Sequence, residues 1–290
     1  MSTTAQQKTS PTVDQAYAYC ERMAKGHYEN FTVGSLLIPK PQRKHMYAVY
    51  GFCRFTDDLG DEVQGDRLAQ LDWWQQELER CYAGQPTHPV MVALQNSIRQ
   101  FNIPKEPFLK LIQANRMDQG IKRFPTYQDL LYYCDHSANP VGRMVLYLFG
   151  YSDPECQRLS DATCTALQLA NFWQDVANDY HQRGRIYLPL EDMQRFGYTE
   201  EMLARGEAND AFRTLMKFEV DCARELFLEG LKLVDLVRGR FRVDLKLFSL
   251  GGMKVLESIE RNGYDVLRRR PSLSRVQKAW LFASVFLGLQ

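Results

Sequence analysis

The stretch Gln168-Leu-Ala-Asn-Phe-Trp-Gln-Asp-Val-Ala-Asn-Asp179 constrains the fold more than any other part of the chain. At helical period Gln168, Asn171, Asp175 and Asp179 fall at steps of three and four and share one face. Leu169, Phe172, Trp173, Val176 and Tyr180 form an apolar stripe beside it, a pattern that fits a helix and not an alternating strand. A DxxxD on a helix ordinarily marks a solvated polar face. Here no Lys or Arg occurs from Asp161 to Tyr180, whereas solvated faces mix both signs and cover apolar surface with long charged chains. A stripe of short carboxylates and amides is therefore expected to look inward, and carboxylates removed from water need a cation.

A second acidic stretch lies at His45-Met-Tyr-Ala-Val-Tyr-Gly-Phe-Cys-Arg-Phe-Thr-Asp-Asp-Leu-Gly-Asp-Glu62. Met46 to Cys53 is apolar all round, as in a helix buried in a core. Four carboxylates follow, with Asp57 over Asp61 and Asp58 over Glu62 at i,i+4. Acids so close repel one another, and burial raises their pKa values unless a positive charge sits among them. Two such helices facing each other would offer oxygen ligands suited to Mg²⁺, which keeps several waters and brings substrate phosphates with it. Each acidic stretch has an arginine close by: Arg54 for one, Arg183 and Arg185 for the other.

The rest of the chain reads as helix nearly throughout. Helices are expected over Asp14 to Lys25, from Gly65-Asp66 to Tyr82, over Pro86 to Phe101, over Lys105 to Gln119 and after a Thr126 cap. Pro140 and Gly142 predict a kink or break, and Asp153 opens the helix that carries the first stretch. Leu190 to Asp210 is expected to be irregular or to hold short helices, and long helices are expected over Ala211 to Arg238 and Leu245 to Arg269. No alternating pattern of useful length and no internal repeat occurs. These features predict an all-α, single-domain helical bundle around a central cavity, with residues 1–13 as a polar, disordered N-terminal tail and 14–290 as the folded domain.

Composition excludes several functions. The chain of 290 residues carries 36 basic and 35 acidic groups, so its charge gives no reason to expect a nucleic-acid partner. Seven cysteines are scattered with no C-x-x-C, which argues against a disulfide framework or a zinc site and fits a reducing, cytoplasmic setting. No P-loop or GxGxxG is present. The longest apolar run, Ala279 to Leu289, is too short to span a bilayer and reads as a final core helix. Arg275 and Lys278 before it keep a peripheral membrane contact open as the alternative. The aromatics beside the acidic stripes, among them Tyr47, Tyr50, Phe52, Phe55, Tyr132, Tyr133, Phe172 and Trp173, are first of all core packing. As a set they also suit an apolar substrate whose carbocation is shielded by ring faces.

From about Tyr17 to Leu273 the chain resembles the squalene and phytoene synthase family. That resemblance implies an isoprenoid-synthase-type fold, an isoprenyl diphosphate substrate and Mg²⁺. Cys53-Arg-Phe-Thr-Asp-Asp-Leu-Gly-Asp61 is similar to the first family motif, which implies that Asp57 and Asp61 bind metal and Arg54 contacts diphosphate. Asn171-Phe-Trp-Gln-Asp-Val-Ala-Asn-Asp179 is similar to the second, with Asn171, Asp175 and Asp179 as metal ligands and Gln168 lining the pocket. Arg185 and Tyr187 match residues that hold the leaving diphosphate, and Tyr50 and Tyr133 match tyrosines near the reacting carbons. One departure stands out. His27-Tyr-Glu-Asn-Phe31 replaces a serine-rich turn, which puts Tyr28 and Asn30 at positions where family serines bind diphosphate. The departure points toward the hydroxysqualene-forming branch, in which presqualene diphosphate and water give hydroxysqualene without a hydride donor. Squalene, presqualene diphosphate or phytoene synthesis from two isoprenyl diphosphates is the alternative. Non-catalytic assembly or binding relatives are expected to have lost their aspartates, and both pairs are intact here.

Overall fold

The computed structural model describes residues 11–26 and 38–286. The turn with Tyr28 and Asn30, and most of the expected N-terminal tail, lie outside them. The described chain is helical, and its only β pairing is an isolated parallel bridge between Arg123 and Ile186. It divides into two compact units, one made of residues up to 116 with 147–150, the other of 117–146 with 151 onward.

In the first unit α1 (Val13–Gly26), α2 (Lys40–Asp61) and α4 (Pro89–Phe101) pack against one another, and α3 (Arg67–Ala83) covers α2 and α4. As its apolar run predicts, α2 is the central element, with Tyr47, Ala48, Val49, Gly51 and Phe52 buried. Asp66 caps α3 by accepting from the Ala69 amide, which satisfies a backbone donor the helix start leaves open. Trp74 of α3 is fully buried; its indole N–H donates to Thr56 Oγ1 (2.9 Å) and its ring packs beside Phe52 at 5.7 Å. Burial of each ring this size stabilises by roughly 2–3 kcal/mol, and the indole bond fixes the pairing of α2 with α3. α5 (Glu106–Met117) closes this stretch of chain.

In the second unit the long helix α8 (Pro154–Arg183) is the spine. Asp153 caps it and Pro154 fills its first turn, where a missing N–H costs nothing. It packs most extensively against α11 (Asp210–Leu231), and α13 (Gly239–Arg261) crosses both. The crossing is close because Gly252 has no side chain: a Cβ there would lie 2.7 Å from Phe227 Cε1 and 3.0 Å from Leu167 Cδ2. α6 (Tyr127–Ser137), with the capping box Thr126–Asp129, packs on α8. α7 (Asn139–Leu148) follows, and α14 (Arg275–Phe286) lies on α13.

Several boundaries differ from the sequence expectation. α4 begins at Pro89, not Pro86, because Glu77 accepts from Thr87 Oγ1 and from the amides of Thr87 and His88, holding that segment out of the helix. The break near Pro140 falls at Ala138, with Pro140 in the first turn of α7. Leu190 to Asp210 forms two short helices, α9 (Leu190–Arg195) and α10 (Glu200–Ala204), as one of the expected forms allows. The expected Ala211–Arg238 helix stops at Leu231 and resumes as α12 (Leu233–Leu236). The last long helix starts at Gly239 and ends at Arg261, since Gly263 and Tyr264 both adopt positive φ.

Candidate active site

The two acidic stretches lie on different units. In the first unit Arg54, Asp57, Asp58 and Asp61 occupy the last two turns of α2. The Arg54 guanidinium sits 2.5 Å from both Asp58 Oδ1 and Glu62 Oε1. Burial works against its charge, but Asp58 and Glu62 outweigh that and raise its pKa. Asp57 Oδ1 accepts from the Asn115 amide at 3.3 Å, and Asn115 is held in turn by the Leu111 carbonyl of α5. Tyr50, one turn before Arg54, is half-buried, and burial raises its hydroxyl pKa.

In the second unit the α8 face expected from periodicity is formed. Leu169, Phe172, Trp173 and Val176 are buried on the apolar side, while Gln168 and Asp175 are partly covered and Asn171 is exposed. The stripe is thus open at Asn171 and more enclosed toward Asp179. Asp175 meets a cation from far along the chain: Arg270 donates from Nε to Oδ1 (2.5 Å) and from Nη2 to Oδ2 (2.8 Å). This forked pairing is the strong geometry for arginine and carboxylate. Asp179 is pushed up to about 6, first by burial and then by the neighbouring Asp175 charge. A groove of about 410 Å³ runs along this part of α8, lined by Asp175, Asn178, His181, Val266 and Arg270 among others.

The segment after α8 is positioned by its backbone. Gly184 takes φ 62°, a left-handed conformation that glycine adopts without steric cost, and ends the helix as its amide donates to Tyr180 O. The amides of Ile186 and Leu190 then donate to Lys122 O and Phe124 O, both at 2.9 Å. This pairing sets Tyr187 flat against Phe172, with centroids 3.7 Å apart and planes 7° apart, and 5.5 Å from Phe124. Arg185 is buried beside the Asp118 carboxylate, 3.3 Å from Nη1 to Oδ1. Tyr133 donates its hydroxyl to the same Asp118 oxygen at 2.9 Å. Burial raises the Tyr133 and Tyr187 hydroxyl pKa values, and Asp118 adds to both.

The structure therefore joins Tyr133, Arg185 and Tyr187 in one cluster and sets Asp175 and Asp179 on one helix face. Tyr28 and Asn30 lie outside the described residues. Sequence reasoning missed Asn115, Asp118 and Arg270. The triple Arg268-Arg-Arg270 before Pro271 is the available signal for the last; for Asp118 the expected Lys105 to Gln119 helix hides the turn, since the helix ends at Met117.

No group of three or more His, Cys, Asp and Glu among the described residues is arranged to hold a metal ion. Mg²⁺ does not require one, since it is commonly bound through one or two carboxylates with waters and substrate phosphates. Asp175 and Asp179 present carboxylate oxygens one turn apart on one helix face, the donor chemistry Mg²⁺ takes, and a metal held there would share or displace Arg270 at Asp175.

Solved structures share this architecture along most of the chain. A squalene synthase, HpnC, from Alicyclobacillus acidocaldarius is 49% identical with a TM-score of 0.85, over 87% of this chain and 95% of that one. A dehydrosqualene synthase solved with a ligand is 29% identical with a TM-score of 0.86, over 96% and 97%. The fold is thus the all-helical isoprenoid-synthase type. A profile described as squalene/phytoene synthase matches residues 24–277, and the chain belongs to that family of enzymes. Among curated proteins, the 15-cis-phytoene synthase of Synechocystis sp. is 34% identical over 96% of this chain and 88% of its own length. The phytoene synthase of Thermus thermophilus is 34% identical over 92% and 91%.

Proposed function

We propose that this protein condenses two isoprenyl diphosphates into a product of the squalene class, with farnesyl diphosphate as substrate and presqualene diphosphate as the intermediate. The observation that carries the reading is the charge arrangement on α8, where Asp175 is clamped by Arg270 and Asp179 is raised beside it. Identity of 49% to a protein named a squalene synthase, against 34% to phytoene synthases, supports the squalene class.

Asp57, Asp61, Asn171, Asp175 and Asp179 would hold Mg²⁺, which supplies Lewis-acid charge to a departing diphosphate. Arg54 and Arg185 would add forked hydrogen bonds to its oxygens, stabilising charge as it develops. Gln168, one turn before Asn171 on α8, would line the substrate pocket. Tyr50 and Tyr133 would stand near the reacting carbons and Tyr187 would help Arg185 to hold the leaving diphosphate, while the ring stack of Phe172 with Tyr187 offers an apolar surface that keeps stray water from the carbocation. No helix among the described residues is long and apolar enough to cross a membrane. We propose a cytoplasmic enzyme that meets the membrane peripherally through α14, where Val276 and Trp280 are exposed.

A second reading, conversion of presqualene diphosphate and water to hydroxysqualene, is favoured by the His27-Tyr-Glu-Asn-Phe31 departure. One experiment separates the two: farnesyl diphosphate and presqualene diphosphate are supplied separately in ¹⁸O-labelled water, with and without NADPH. Condensation of farnesyl diphosphate to presqualene diphosphate or a C30 hydrocarbon is expected. Labelled alcohol from presqualene diphosphate alone would establish the second reading. Asp57→Asn or Asp175→Asn should lower turnover by at least about a hundredfold with an unchanged helical spectrum, and full activity in EDTA would rule out the metal role.

A further inference from the structure

We infer that Asp118 is a positioning residue of this site, one carboxylate that orients the hydroxyl of Tyr133 and the guanidinium of Arg185 together. The inference rests on reading Tyr133 and Arg185 as active-site residues.

Asp118 lies just past the end of α5, in the turn before the backbone pairing of Lys122 with Ile186. That pairing fixes the separation of the two segments, so residues 118 and 185 meet by construction of the backbone. Arg185 is held twice: Nη2 donates to the Asp118 carbonyl at 3.0 Å, and Nη1 lies 3.3 Å from the carboxylate. Nη1 also donates to the Tyr187 hydroxyl at 3.2 Å. Arg185, Tyr133 and Tyr187 are each less than a tenth exposed, so none of these bonds is a loose surface contact. A buried guanidinium without a counter-charge is strongly unfavourable, and Asp118 provides one.

The direction of the tyrosine bond matters as much as its length. An ionised carboxylate only accepts, so the Tyr133 proton is aimed at Asp118 Oδ1. The phenol oxygen is left to act as an acceptor toward anything else it meets. It can face a carbocation or orient a water, and it cannot donate to a diphosphate oxygen while Asp118 holds its proton. Asp118 thus separates two tasks, with Arg185 given to negative charge and the Tyr133 oxygen to positive charge. Nothing in the Met117-Asp118-Gln119 sequence marks the residue for this role.

The test uses the full chain and the variants Asp118→Asn, Asp118→Glu, Tyr133→Phe and Arg185→Lys, with the double variant Asp118→Asn/Tyr133→Phe. Turnover of farnesyl diphosphate and inhibition by pyrophosphate are measured, and circular dichroism and thermal melting report folding. Asp118→Asn keeps the shape and an acceptor but removes the charge. It is expected to lower kcat at least about tenfold, with the double variant within about twofold of the weaker single variant. Pyrophosphate inhibition should weaken in Asp118→Asn as it does in Arg185→Lys, and recover in Asp118→Glu, which keeps the charge. If Asp118→Asn does not fold, Asp118→Ser, which also removes the charge and keeps an acceptor, gives the same comparison alone and combined with Tyr133→Phe. Losses that multiply in the double variant, or pyrophosphate inhibition unchanged in Asp118→Asn, would overturn the inference alone. Wild-type turnover in both Tyr133→Phe and Arg185→Lys would overturn the site reading on which it rests.

Discussion

Glu219 on α11 is a buried acid whose carboxyl oxygens lack a hydrogen-bond partner among the described residues, and replacing it with glutamine should stabilise the protein. Its side chain is fully buried, and neither carboxyl oxygen meets an N–H or O–H donor among the described residues. Its close neighbour is Asp192 of α9, itself only 6% exposed. Two carboxyl groups in contact can bond only if one keeps its proton. Burial first, and then the Asp192 charge, push Glu219 from 4.5 up to about 9. The sign follows from linkage: a group whose pKa is raised by folding contributes its stability fully below the unfolded value of 4.5 and has lost it once pH passes about 9. Between those limits each pH unit removes about 1.4 kcal/mol. At pH 7 the folded chain therefore bears a cost on the order of 3 kcal/mol for taking up this proton. Glutamine has no such proton to take up, fills nearly the same volume and brings an N–H₂ donor to Asp192. Glu219→Gln should raise stability by about 3 kcal/mol at pH 7, equivalent to roughly 5 °C in melting temperature for a chain of this length. Urea denaturation followed by far-ultraviolet circular dichroism at pH 6, 7 and 8 would show it, provided the m-values agree. The gap between variant and wild type should widen by about 1.4 kcal/mol per pH unit. A gap that stays constant with pH, or a destabilised variant, would refute the shared proton.

Two further outcomes follow from buried groups elsewhere. His45 is almost fully buried, with Nδ1 at 3.0 Å from the Tyr17 hydroxyl and 2.9 Å from Ser97 Oγ, and burial followed by the Lys44 charge lowers its pKa to about 4. A depressed pKa gives stability that is present above 6.5 and lost as pH falls through 4, so the wild type should lose about 3 kcal/mol over that window and His45→Gln much less, as urea midpoints at pH 7 and pH 4.5 would show. Gly252→Ala should destabilise by about 1–2 kcal/mol, since the overpacking against the buried Phe227 ring exceeds the gain in helix propensity; a higher urea midpoint would show that the crossing yields instead.

The helices were legible wherever their cause is local. Thr126 and Asp66 cap helices because their side chains accept from amides three residues on, and α8 is periodic over its whole apolar stripe. Boundaries went astray where a distant residue decides them. The start of α4 depends on Glu77, ten residues or more before the groups it accepts from. The early end of α13 did have a local signal, since Asn262-Gly263 is a turn dipeptide, but the apolar period continuing through Val266 and Leu267 concealed it.

The candidate site divides along the same line. Acidic residues at i,i+4 are a property of one segment, so Asp57, Asp61, Asp175 and Asp179 could be picked out from spacing alone. The cations that balance acids are a property of the fold. Arg54 and Arg185 stand close to the acids in sequence, and Arg54 pairs with Asp58 and Glu62 while Arg185 pairs with Asp118. The partner of Asp175 is Arg270, at a separation of 95 residues. A helical stripe of acids therefore announces that positive charge must be present without saying which residue carries it. Only the turn that ends α13 and the Pro271 stretch bring Arg270 to α8, where Gln174 on the same helix donates to the Pro271 carbonyl and holds that stretch in place.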